Sequence, residues 1–286
     1  MSHATPSLLE PYLVPTEAAL TVLTNILGVS SNWMVLRYLR ALLRPTPTEP
    51  ATIVVFASFL RHLPFWTAGA ARMGLDLEGL IRCGRVVYVD GLSALFLPPP
   101  SVPTEAAVLG QLRPSAASAG LDPSRWTVMG ATLAEMSRVL HGAVDEARGR
   151  ARAGAKVVLV IDQLDFLLSA GTGEEGAVTG LELRELVHDL REKIHAAMLT
   201  MSADEPLISA QTTPLEKEHA SLILSLAHEA QMVISLRQLD RGSAKDVSGI
   251  MRITGGGDDS GTPVEQVELL YQVRGDGNVR LFERGL

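Results

Sequence analysis

AKVVLVIDQLD, residues Ala155–Asp165, decides the fold. Lys156 precedes the unbroken apolar run Val157–Ile161, and the run closes on Asp162. A short run rich in β-branched residues is a strand buried on both faces, as inner strands of a parallel sheet are. An acid at the C-terminal end of such a strand stands where open α/β sheets collect their ligands. Asp162 therefore has two readings. In one it organises Mg²⁺ beside nucleotide phosphates, the Walker B position. In the other it ends an ordinary strand and starts a turn or helix cap through Asp165. A phosphate-binding loop upstream would separate the two.

The place for that loop lies near the N-terminus. Ala18–Leu27 (AALTVLTNIL) reads as a first strand, Gly28-Val29-Ser30-Ser31-Asn32 as a loop, and Trp33–Leu43 as a helix capped by Ser31 or Asn32. Pro45, Pro47 and Pro50 end it. A P-loop needs G-x-x-x-x-G-K-[ST]: glycines to bring backbone N–H groups around phosphate, a lysine to neutralise it, and a hydroxyl for Mg²⁺. The segment from Gly28 reads GVSSNWMV, with one glycine, no lysine, and Trp33 and Met34 where the Lys-Thr pair belongs. Gly28, Ser30, Ser31, Asn32 and Asp162 are thus the positions of a degenerate nucleotide site. A helix N-terminus still attracts anions weakly.

Strands continue at Thr52–Ala57 and Val86–Val89, the latter closed by Asp90, with a helix at Pro64–Met73 and a short helical or turn segment at Asp76–Ile81 between them. Leu97–Gly120 is proline-marked and reads as an irregular or partly helical connection. Helices are expected at Met129–Gly149, Leu181–Ile194 and Pro214–His228, and strands at Ala197–Met201 and Gln231–Leu236. From Gly249 the pattern alternates over Gly249–Thr254, Val264–Val273 and Val279–Glu283. The fold class is α/β: a mostly parallel sheet flanked by helices, with an antiparallel extension over about 249–284. Residues 1–17 read as an N-terminal arm, 18–286 as a single domain, and about 97–123 as an irregular insertion.

Composition narrows the function classes. With 286 residues, 47% hydrophobic and 20% charged, the chain is globular. Its net charge of −7 argues against nonspecific coating of nucleic acid but permits a local basic patch. The single cysteine, Cys83, excludes an internal disulfide and any multi-cysteine zinc site. The N-terminal residues show no signal-peptide pattern, and no apolar run spans a bilayer, so an intracellular soluble protein is expected. A mean hydropathy of +0.20 suggests apolar surface covered by a partner.

No catalytic group emerges. G-x-S-x-G is absent, Cys83 lacks an apparent histidine base, and His62, His219 and His228 read as surface, loop or interface residues. Asp90 and Asp162 both end strands and could converge. Arg148, Arg150, Arg152 and Lys156 form a basic run that either contacts phosphate or complements a helix C-terminus. The segment Arg237–Lys245 is the better nucleic-acid candidate: Arg237, Arg241 and Lys245 sit in a Gly/Ser-containing connection beyond a strand. Trp33, Trp66 and Trp126 are candidates for interface centres or core.

The order of these segments resembles the Elp6 family of subunits of the eukaryotic Elongator complex. The residues that carry it are Trp33–Leu43 after a strand without a P-loop, IVVFASFLRHLPFWTAGAARMGLDL (Ile53–Leu77), GRVVYVDGL (Gly84–Leu92), KVVLVIDQLDFLLSAG (Lys156–Gly171), the Leu215–Leu236 helix–strand unit and the final hairpin. The similarity spans roughly Ala18–Glu283 and fits least around Leu97–Pro123. The resemblance implies a RecA-like fold with a degenerate P-loop. It implies assembly with Elp4 and Elp5 in a 2:2:2 heterohexameric ring, association with the Elp1–Elp2–Elp3 assembly, and tRNA binding during wobble-uridine modification. It further implies a noncatalytic role without a cofactor of its own, ATP acting at most at the level of the ring, in the cytoplasm with the nucleus as a second location. An unconventional ATPase using Gly28–Asn32 and Asp162, or a scaffold without RNA contact, are the competing expectations.

Overall fold

Val157–Asp162 is an inner strand whose every residue is buried, and the other elements arrange around it. The computed structural model describes residues 6–44, 51–97, 124–171, 177–239, 246–258 and 263–283. In chain order these form β1 (Leu20–Asn25), α1 (Asn32–Leu43), β2 (Ile53–Ser58), α2 (Leu63–Arg72), α3 (Leu77–Arg82), β3 (Val86–Asp90) and β4 (Arg125–Thr127). Next come α4 (Leu133–Arg150), β5 (Val157–Asp162), α5 (Phe166–Ala170), α6 (Gly180–Arg191), β6 (Ala196–Ser202), α7 (Pro214–Glu229) and β7 (Met232–Arg237). The chain closes with β8 (Gly249–Gly255), β9 (Val267–Val273) and β10 (Val279–Glu283).

The ten strands of the described residues join one sheet in the order β10-β9-β8-β7-β1-β6-β5-β2-β3-β4. From β7 to β4 the neighbours run parallel. From β7 to β10 they are antiparallel, as the alternating C-terminal pattern indicates.

Strand periodicity divides the core. Val157, Leu159 and Ile161 face a cluster formed with α4, α5, α6 and α7. Val158 and Val160 face the opposite cluster, formed with α1, α2 and α3. Each such fully buried aliphatic side chain contributes about 1.5–3 kcal/mol. Helix starts carry their own signals: Thr179/Glu182 and Thr213/Glu216 form reciprocal capping boxes at α6 and α7.

The structure departs from the sequence expectations in several places. The N-terminal arm packs on the domain: Leu9 and Leu13 are buried in the α1–α3 cluster, on either side of a 3₁₀ turn at Glu10–Tyr12. β4 has no counterpart among the expected strands; its three residues extend the sheet beside β3, and Trp126 Nε1 donates to Glu146 on α4. The polar connection after β6 contains a π-helical turn at Pro206–Ala210. Most of the insertion expected over 97–123 lies outside the described residues.

Candidate functional site

Helices leave neighbouring strands toward opposite faces at two points on the C-terminal edge of the sheet. β1 leads to α1 and β6 to α7 on the other face; β2 leads to α2 and β5 to α5 on the other face. Such switch points are where open α/β sheets bind ligands. The degenerate nucleotide positions divide between these two crevices.

At the β1–β6 point, the turn after β1 is closed by protein groups. Gly28 adopts φ +84°, which a side chain would strain. The Leu27 N–H donates to Asp204 Oδ1 at 2.7 Å, and Gln238 Nε2 donates to the Leu27 carbonyl at 3.0 Å. The Gln238 amide lies against Gly28, where a Cβ would stand. Asn25 Nδ2, from the end of β1, donates to the Val29 carbonyl in the turn at 3.3 Å. A carboxylate thus occupies a backbone donor of the turn that a phosphate loop would offer to its nucleotide.

Beside this turn is a cavity of about 520 Å³ between α1, α2 and the β9–β10 turn. Gly28, Ser30 and Asn32 line it together with Trp33, Phe65, Arg72, Tyr271 and Arg274. Ser31 does not; it is buried at the start of α1, where its carbonyl accepts from Met34 and Val35. The Trp33 and Tyr271 rings lie 5.0 Å apart, and Arg37 Nη2 reaches from α1 to the Gly277 carbonyl at 3.0 Å. Arg37, fully buried, has no sequence signal that marks it as interior.

At the β2–β5 point lies a buried polar network. Asp162 is 1% exposed, and its carboxylate meets Ser58 Oγ at 2.9 Å and Thr200 Oγ1 at 3.3 Å. Ser58 also receives Trp66 Nε1 at 3.0 Å and lies 2.9 Å from the Arg61 carbonyl. Its single proton cannot serve both Asp162 and Arg61. The neutral acid form of Asp162 would supply the missing donor. Burial pushes the Asp162 carboxyl up to about 6, while the hydrogen bonds from Ser58 and Thr200 act in the opposite direction. Trp66 is fully enclosed, a core residue rather than an exposed anchor.

Gln163 follows at φ +58°, a costly conformation for a residue with a side chain. It is held there by its N–H on Thr200 Oγ1 at 2.8 Å and its amide on Ser202 Oγ at 3.0 Å. Asp165 Oδ2 then accepts from the Ser202 N–H at 3.1 Å and lies 3.2 Å from His219 Nε2. His219, expected on a surface or at an interface, is buried within the chain and ties α7 to the segment after β5.

Asp90 and Asp162 stand in register on either side of Ser58. Asp90, however, accepts from the Leu92 and Ser93 backbone and the Ser93 hydroxyl, so it closes its own turn. His62 Nδ1 pairs with Ser93 Oγ at 3.2 Å. Among the described residues no His/Cys/Asp/Glu group could hold a metal ion.

The basic segment divides as well. Arg237 is not in a loop; it ends β7, and its Nη2 reaches Glu268 on β9 at 3.2 Å. Arg241 and Lys245 lie outside the described residues.

No protein-family profile matches the chain. It is similar to Elongator complex protein 6 of Xenopus laevis, 25% identical over 239 residues, covering 82% of this chain and 80% of that protein. It superposes on a KaiC-like protein of the archaeon Pyrococcus horikoshii at TM-score 0.55 and 15% identity, over 93% of this chain and 90% of the other. An uncharacterized protein of Pyrococcus horikoshii, in complex with an unknown peptide, superposes at TM-score 0.59 and 11% identity over 98% of each chain. At these identities the structural likenesses carry the fold alone. The chain has an α/β RecA-like fold, a largely parallel sheet flanked by helices with an antiparallel C-terminal extension.

Proposed function

We propose that this chain is a noncatalytic subunit of an Elongator-type accessory ring, assembled with Elp4 and Elp5 and supporting tRNA binding during wobble-uridine modification. The observation that carries the reading is the likeness to Elongator complex protein 6 over 82% of the chain and 80% of that protein. Agreement over most of both chains bears on the whole subunit rather than one motif. The turn after β1 supports the noncatalytic part: Asp204 holds a backbone N–H that a nucleotide phosphate would need, and the Gln238 side chain packs against the same turn. Leu27, at the tip of that turn, is 84% exposed, and Phe65, which lines the cavity next to the turn, is also exposed. A neighbouring subunit would cover such apolar surface.

The test is tRNA binding by the reconstituted ring. With Arg237, Arg241 and Lys245 replaced by alanine, the intact ring should bind tRNA more weakly and with a shallower salt dependence. Unchanged binding by an intact ring removes this segment from tRNA contact. The cavity beside Gly28, Ser30 and Asn32 favours a second reading, an unconventional nucleotide site. Saturable ATP binding by the isolated subunit would establish that reading in place of the first.

A further inference from the structure

The N-terminal edge of the sheet, opposite both crevices, holds a second cavity of about 620 Å³. Arg82, Arg85, Arg150 and Arg152 line it, with Cys83 between the first two. We infer that this cavity binds a compact, multiply charged phosphate compound. The inference does not depend on the proposed ring function.

Two of the arginines are held by the fold. Arg150 Nη1 donates to Ser124 Oγ at 2.6 Å, and its Nη2 pairs with Glu146 at 2.5 Å. Gly84, at φ +74°, turns the chain beneath it; a Cβ there would stand 3.1 Å from Arg150 Nη1. Arg85 Nε donates to the Thr52 carbonyl at 2.8 Å. Arg82 and Arg152 are exposed and make no side-chain hydrogen bond or ion pair among the described residues.

Helix-dipole compensation accounts for only part of this cluster. Arg82 and Arg150 stand in the last turns of α3 and α4, where cations are favoured. Arg85 and Arg152 lie beyond both helices. The chain as a whole carries −7, so four guanidinium groups gathered at one cavity run against its net charge, with Glu146 offsetting one of them. Guanidinium forks match phosphate oxygens in charge and geometry. No aromatic side chain lines the cavity, which disfavours stacking of nucleic-acid bases. Its volume is that of a small-molecule site.

Cys83 makes the site directly measurable, because it is the chain's single cysteine and is exposed. The experiment follows alkylation of the full chain by the neutral reagent iodoacetamide, with inorganic pyrophosphate titrated at constant ionic strength. Pyrophosphate is expected to slow Cys83 alkylation saturably. The double variant Arg82→Ala/Arg152→Ala, with unchanged Tm, is expected to need about tenfold more pyrophosphate or greater, from the loss of charge-assisted hydrogen bonds. Alkylation indifferent to pyrophosphate in the wild-type chain would overturn the inference without any variant. So would equal protection in the folded variant. Protection by a short single-stranded RNA at concentrations where pyrophosphate gives none would assign the cavity to nucleic acid and reject a small phosphate ligand.

Discussion

Asp204 Oδ1 accepts the Leu27 N–H at 2.7 Å, so a carboxylate from the end of β6 sits on the turn after β1. The turn keeps the position of a phosphate loop in the sheet while its donor is already satisfied from within the chain. Asp204→Ala should cost about 1 kcal/mol of stability, the typical net value of such a bond, by urea unfolding. Binding of a fluorescent ATP analogue should stay undetectable in both proteins. Detectable binding that strengthens in Asp204→Ala would mean that the turn retains phosphate affinity and that the carboxylate only competes with it.

The buried Asp162 gives a pH dependence with a definite sign. Its carboxyl, at about 6 in the folded chain, lies above the 3.8 of an ordinary aspartate, so folding favours the neutral acid. The contribution is in place below the unfolded value and is lost as pH rises through about 6. Asp162→Asn keeps the shape and removes the titration. The stability of the variant relative to wild type should rise between pH 4 and pH 7.5 by up to roughly 3 kcal/mol, since each tenfold change in proton affinity is worth about 1.4 kcal/mol. A difference that stays constant with pH would show that Asp162 is already paired as an anion.

His219 should matter to folding despite its place on an amphipathic helix. Its Nε2 lies 3.2 Å from Asp165 Oδ2 with both side chains enclosed. His219→Leu leaves the carboxylate short of a partner and should cost about 1–3 kcal/mol. His219→Gln, able to donate again, should recover part of that loss in the same denaturant titration. Equal stability of the leucine variant would show that water replaces the pair.

Arg237 can be separated from the residues that follow it. Its pairing with Glu268 is half-exposed, so Arg237→Ala alone should cost less than about 1 kcal/mol. If the basic segment contacts tRNA, Arg241→Ala/Lys245→Ala should weaken binding by the ring more than Arg237→Ala does. The reverse order would place the contact on the β7–β9 face of the sheet.

The framework is legible in the sequence because its strands write their burial into the chain. Val157–Ile161 is apolar at every position since β5 is covered on both faces, and residues 249–283 alternate since β8 to β10 extend the sheet at its edge. The missing lysine after Gly28 is equally plain. What stays hidden is what fills that turn: Asp204 and Gln238 come from the ends of β6 and β7, far along the chain. His219 misleads because a polar residue on a helix reads as solvent-facing until its partner, Asp165, is known to lie beneath it. Arg237 misleads because β7 runs one residue further than its apolar pattern and ends on a cross-strand charge pair. β4 is too short, at three residues, for any periodicity to declare it.

The central claim is that this RecA-like chain acts by assembly rather than by nucleotide chemistry of its own. Native mass spectrometry of the chain, alone and co-expressed with Elp4 and Elp5, tests it most directly. The account predicts a hexamer with two copies of each subunit, formed without added nucleotide. A stable monomer that ignores both partners would contradict it.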